Sequence, residues 1–133
     1  AIEGKDGSAS EIRAGVAETP DALIRGLMHR EFLAEDEGML FLYPGLIQGA
    51  FHMTNTKIPL TVAFLDEQGV IFDLKDMPVC GEEPCPRYGT DRPFAMALEM
   101  NLGWFEANGF GPGDRVVYDR ASAAGSGASS ERR

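Results

Sequence analysis

The sequence predicts a mainly β domain, a compact antiparallel sandwich or barrel carrying one or two short helices. Three observations predict it. Six or seven short runs read as strands, separated by Gly- and Pro-containing turns. Only two stretches have a helical pattern, and both are brief. Strands and helices do not alternate regularly, which argues against a doubly wound parallel sheet. A chain of 133 residues, 44% hydrophobic, suits one domain with a real core.

Residues 1–10, AIEGKDGSAS, are small and polar and are expected to form a flexible segment. In residues 11–17, Ile12, Ala14 and Val16 alternate with Glu11, Arg13 and Gly15, the period of a half-buried strand. Thr19 can then cap a helix, with Pro20 first and Asp21 in its first turn. The spacing predicts this helix over residues 20–30, with Gly26 inside it at a cost of about 1 kcal/mol against Ala. A Gly tolerated there implies close packing on another backbone.

The continuous apolar run 38–43, GMLFLY, predicts a strand buried on both faces and ended by Pro44 and Gly45. Residues 60–66 and 70–74 flank Glu67-Gln68-Gly69 and predict a hairpin. Residues 94–100 predict another strand. Residues 102–109 predict a short helix stopped at Gly109, and 113–119 a closing strand. The folded unit is expected over 11–119. Residues 120–133 have the Ala, Ser and Gly composition of a flexible tail.

Charge narrows the function. Residues 1–119 carry −11, from nine Lys/Arg and twenty Asp/Glu. Such a surface repels phosphate backbones, so no nucleic-acid partner is expected, and anionic membranes are disfavoured alike. No apolar run approaches 18 residues, so no membrane span is expected. No signal-peptide pattern opens the chain, which begins at Ala1 and reads as a processed or trimmed form.

Five blocks stand in order along the chain: RGLMHR (25–30), EGMLFLY (37–43), FHMTNTKIPLTVAFLDEQGVI (51–71), PVCGEEPCPRY (78–88) and ALEMNLGWFEANGFGPGDRV (97–116). Together they resemble the bacterial and archaeal domain-of-unknown-function family 192, over about residues 11–119. The resemblance implies a β-rich sandwich of jelly-roll type with small helices. It also implies export, hence a periplasmic or secreted location. The family has no established activity, so it supplies no catalytic residue. This chain departs from the family pattern at His52, where Trp is usual, and at Thr61, where Asp is usual. If those two positions belong to one site, the site is altered here.

Cys80 and Cys85 are the two cysteines, separated by GEEP and surrounded by Pro78, Pro84 and Pro86. In an oxidising compartment they predict a disulfide closing a small loop. Free thiols are the bland alternative. A metal site with His29 or His52 is a third reading, but it needs two scattered further ligands.

Next to the hairpin stand His52, Asn55 and Thr56 among apolar neighbours. In an extended chain His52 and Thr56 share one face and Asn55 the other. Pro59 makes a break before Leu60 plausible. The break could aim an amide and a hydroxyl into a small pocket. The plain alternative spends them on nearby backbone.

Arg25 and Arg30 flank GLMH and could grip an anion, or could pair with Glu31, Glu35 or Glu37. Glu99 lies in an apolar strand, opposite Leu98 and Met100. It faces solvent, an Arg across the sheet, or a pocket.

The six Met residues are scattered, which suits gap-filling in the core better than a copper site. Trp104 and Phe105 read as core anchors. Catalytic signatures are missing: there is no Gly-x-Ser-x-Gly elbow, phosphate loop, dinucleotide fingerprint or His-Glu-x-x-His. Glu82 and Glu83 would raise a neighbouring thiol's pKa, which opposes a nucleophilic Cys.

The leading expectation is thus an exported domain binding a small polar or anionic ligand through Arg25, His52, Asn55, Thr56 and Glu99, with no cofactor and no metal. A hydrolase or isomerase using His52 or Glu99 is the second reading. A structural or assembly module tethered by the tail is the third.

Overall fold

The computed structural model describes residues 1–118. Its centre is a five-stranded sheet. β3 (Arg13–Ala17) lies at one edge, followed by β4 (Glu37–Ile47), β9 (Phe94–Asn101), β6 (Leu60–Leu65) and, at the other edge, β7 (Ile71–Met77). All pairings are antiparallel except β3 with β4. That pair is parallel because α1 (Pro20–Arg25) crosses between them. Two small antiparallel sheets lie beside it: β10-β1-β2, from Arg115–Val116, Ile2–Glu3 and Ala9–Ser10, and β5-β8, from Ala50–His52 and Arg87–Gly89. The protein is mainly β and sandwich-like, and the sheets do not close into a barrel.

The central sheet buries both faces. On the first, Leu40, Leu42, Ala63, Leu65, Leu98 and Met100 pack on Ile2, Val116 and the aromatic side chains of Trp104, Phe105 and Phe110. On the second, Phe41, Val62, Phe64, Phe94 and Ala97 pack on Leu27, Leu33, Met53, Ile58 and Met77. Each such large apolar side chain contributes about 1.5–3 kcal/mol by leaving water. A Cβ at Gly38 would collide with the Glu99 carbonyl oxygen and Met100 Sδ. Glycine there lets β4 close on β9.

Four sequence expectations are corrected. Residues 1–10 hold β1 and β2, and Ile2 is fully buried against Val116. Ile2 is the one large apolar residue of that segment, too little to show a pattern. The first helix ends at Arg25. Gly26 caps it at φ 50°, and a Cβ there would lie 3.2 Å from the Phe41 ring. The expected packing of Gly26 on another backbone is not found: its near neighbour is the Phe41 side chain, and it sits at the helix end.

Strand β4 continues past Pro44 and Gly45 to Ile47, through a register shift between Leu42 and Ile47. A bulge accommodates the proline that would break a regular ladder. The closing strand is only Arg115–Val116. Strands β1, β2, β5 and β8 are two or three residues long, below what periodicity can detect.

The hairpin stands as expected. Asp66 Oδ1 accepts from the Gln68 and Val70 amides at 2.9 Å each and holds the turn. The short second helix, α2, spans Trp104–Ala107 and is followed by Asn108 and by Gly109 at φ 79°. The Met residues Met53, Met77 and Met100 are core, as are Trp104 and Phe105.

The expected tail falls outside the described residues. Removing residues 120–133 should leave the melting temperature within about 2 °C. A scanning-calorimetry loss above about 5 °C would show that the folded unit needs them.

Candidate functional site

Strand alternation places Glu99 on the second face of the sheet, flanked by Met39 on β4 and Val62 on β6. The sequence reading left this residue a solvent-facing option. The structure removes it, because the second face is covered too: Glu99 is 5% exposed. Beyond it lies a cavity of about 250 Å³. Its walls come from the α1 region (Leu23, Leu27), the sheet (Phe41, Leu60) and the β5 region (Phe51, Met53). Tyr43, Thr56 and Glu99 add polar groups within, and Arg25, His52 and Arg87 line it from exposed positions.

Among the described residues nothing hydrogen-bonds the Glu99 carboxyl. Burial alone pushes it up from the usual 4.5 to about 8, because a carboxylate loses more solvation than a carboxylic acid. It is therefore mostly neutral at pH 7 and can both donate and accept. Burial, and secondarily the Glu99 charge, raise the Tyr43 phenol in turn. The Tyr43 ring packs edge-on against Phe94 at 5.6 Å. A buried polar group without a partner costs about 1–3 kcal/mol, so the Glu99 carboxyl in this cavity needs a reason.

Of the five residues expected to line a site, Arg25, His52, Thr56 and Glu99 share this cavity. Asn55 does not line it. It adopts φ 60°, and its carbonyl accepts from the His29 amide at 2.8 Å. That left-handed turn carries Asn55 into a separate surface depression, beside Val79 and the loop 80–83. Thr56 touches both, and its hydroxyl reaches the Thr54 carbonyl at 3.4 Å. His52 Nδ1 accepts from the Thr54 amide, also at 3.4 Å.

Arg30 pairs with Glu37 at 3.0 Å, the plain alternative raised for it. Arg25 is exposed and has no ion pair among the described residues. Tyr43, Phe51, Met53 and Arg87 were not singled out from sequence. Tyr43 ends an apolar run and reads there as core. Arg87 is brought in by the pairing of β5 with β8, which has no sequence signal.

Position 61 belongs elsewhere. Thr61 lies on the opposite face of β6 from Leu60 and Val62. Its hydroxyl donates to Asp76 Oδ1 at 2.8 Å and accepts from the Gly103 amide at 3.0 Å. The two departures from the family pattern, at 52 and 61, therefore do not meet in one cavity.

Cys80 and Cys85 form a disulfide. Closing so short a loop contributes about 2 kcal/mol through the unfolded chain. The double replacement Cys80→Ser, Cys85→Ser should lower stability by about that amount in urea unfolding, and an unchanged midpoint would contradict the loop-closure account. No three His, Cys, Asp or Glu side chains gather as a metal-binding group among the described residues.

The model of domain of unknown function 192, described as an uncharacterized ACR, matches residues 1–118. The chain belongs to this family. Its own function is not established. Among curated proteins nothing matches significantly.

Two solved structures share the fold with this family member. One is a candidate transcription regulator from Sinorhizobium meliloti 1021, at 30% identity and TM-score 0.80, with 86% of this chain and 87% of that one covered. The other is a protein of unknown function from Novosphingobium aromaticivorans DSM 12444, at 28% identity and TM-score 0.78, with 88% and 81% covered.

Proposed function

We propose that this protein binds a small polar or anionic molecule in the Glu99 cavity. The observation that carries the reading is the buried carboxyl, without a hydrogen-bond partner among the described residues, set in the wall of a cavity. Such a group costs stability in the empty protein, and a bound molecule that hydrogen-bonds to it removes that cost. Apolar walls with a few convergent polar groups are the usual make-up of a small-molecule site. Arg25 and Arg87, at exposed positions on the same cavity, favour a negative charge. A larger depression of about 580 Å³ next to Glu18, Pro44 and Tyr118 is more open and shares Tyr43 but not the Glu99 carboxyl, so it offers less.

Thermal-shift measurements with a panel of polar and anionic metabolites test this. At least one member should raise the melting temperature of the native protein and fail to do so for Glu99→Leu, which keeps an apolar side chain of similar size on the strand. If none shifts it, or if the shift survives in Glu99→Leu, the reading is wrong.

Glu99 also supports a second reading. A carboxyl that titrates near neutrality inside a cavity suits general acid–base chemistry, as in a hydrolase or isomerase. Turnover lost in Glu99→Gln while ligand binding persists would decide for it.

The disulfide favours an oxidising compartment, and we place the protein in the periplasm or outside the cell on that ground. The Sinorhizobium meliloti protein's description does not change the proposal, because a charge of −11 over residues 1–119 opposes DNA binding.

A further inference from the structure

Resting on the Glu99 cavity being a binding site, we infer that its occupant is a compact hydroxy- or oxo-carboxylic acid with an apolar middle. The cavity presents three chemistries. Its walls are apolar and partly aromatic, through Leu27, Phe41, Phe51 and Met53. Two of its polar groups, the buried Glu99 carboxyl and the hydroxyl of half-buried Tyr43, have no hydrogen-bond partner among the described residues. Its exposed lining residues include two cations, Arg25 and Arg87. A matching molecule has an apolar body, an uncharged hydrogen-bonding group at one end and a carboxylate at the other.

The inner group is uncharged for a physical reason. Among the described residues no cation is buried with Glu99, so this carboxyl is kept neutral by desolvation. A neutral acid donates to a carbonyl or hydroxyl oxygen and accepts from a hydroxyl. An ammonium group would need Glu99 ionised and would itself lose hydration in an apolar cavity. A second carboxylate at that depth would meet acceptors of its own sign once Glu99 ionised. At the exposed end a carboxylate is suited by guanidinium groups, which hold it in two-pronged fashion. Size agrees: a dry cavity of about 150 Å³ holds benzene, so about 250 Å³ admits a ring of that size with two polar substituents.

The test uses four probes of one size: 4-hydroxybenzoate, benzoate, 4-hydroxybenzyl alcohol and 4-(aminomethyl)benzoate, titrated by calorimetry near pH 6.5. The expected result is that 4-hydroxybenzoate binds about tenfold tighter than each of the others, the equivalent of one good hydrogen bond. Glu99→Leu should erase its advantage over benzoate. Arg25→Ala combined with Arg87→Ala should erase its advantage over the alcohol. Both variants are checked for fold by circular dichroism and proton NMR, and Glu99→Met, which likewise removes the hydrogen-bonding group, serves in place of Glu99→Leu if that variant fails to fold.

Equal affinity for benzoate and 4-hydroxybenzoate, preference for the amine, or no binding of any probe overturns the inference. If no probe binds but a metabolite of the wider panel shifts the native protein and not Glu99→Leu, the ligand class assigned here falls and the binding site stands. If nothing in that panel acts through Glu99, both fall.

Discussion

Glu99→Gln should be more stable than the native protein at pH 9 by several kcal/mol, and nearly equal to it at pH 5. The folded carboxyl titrates at about 8 against a usual 4.5. Between those values the unfolded chain has released its proton while the folded protein keeps it, so stability falls as pH rises. The neutral carboxyl's contribution is fully present below about pH 4.5. It is lost progressively up to about pH 8, and the loss is complete just above.

A shift of this size corresponds to about 5 kcal/mol at most. Glutamine cannot ionise and keeps the shape, so the variant lacks this slope. The other ionisable groups that line its cavity are Tyr43 on β4, Arg25 on α1, His52 on β5 and Arg87 on β8. They remain in the variant, so the difference isolates the carboxyl. Urea unfolding at pH 5, 7 and 9 measures it. Parallel stability curves for the two proteins would mean that Glu99 is solvated or paired in solution.

Phe64→Ala should cost about 3–5 kcal/mol. Phe64 is fully buried on β6, an interior strand of the five-stranded sheet. Its ring meets Phe94 at 4.9 Å and Phe51 at 5.9 Å, in a cluster where Phe51 also packs edge-on against Phe41. Alanine would leave a void that rigid neighbouring strands cannot fill. Because Phe51 lines the Glu99 cavity, the same replacement should weaken ligand binding, whereas Phe64→Leu should retain most of both. A loss below about 2 kcal/mol in chemical denaturation would show that the second face collapses around the gap.

Long, strongly patterned elements were legible before any coordinates. The hairpin of β6 and β7 was visible because two apolar runs flank a Gly-containing turn. The apolar run of β4 was visible because a strand buried on both faces has no polar alternation. The β4 strand's continuation past Pro44 was not visible, since a bulge answers to pairing with β9 and not to local preference. Helix α1 was legible at its start, where Thr19 Oγ1 accepts from the Ala22 amide at 3.2 Å. Its end was misjudged, because Gly26 sits where Phe41 from β4 crowds it. The candidate site was half legible. Glu99, His52 and Arg25 stood out as polar residues among apolar ones, while Tyr43 and Arg87 did not.

Composition and pattern were enough to settle a β-rich class, an acidic surface and a cysteine pair close enough to bridge. Those properties depend on residue type and on neighbours a few positions away. Whether Glu99 met water or a cavity was decided only when β5, β8 and the α1 region covered the second face of the sheet. Alternation assigns a side chain to a face, but the layer that packs on that face comes from residues tens of positions distant. Asn55 left the cavity for a local reason, since one left-handed residue turns a chain that periodicity treats as straight.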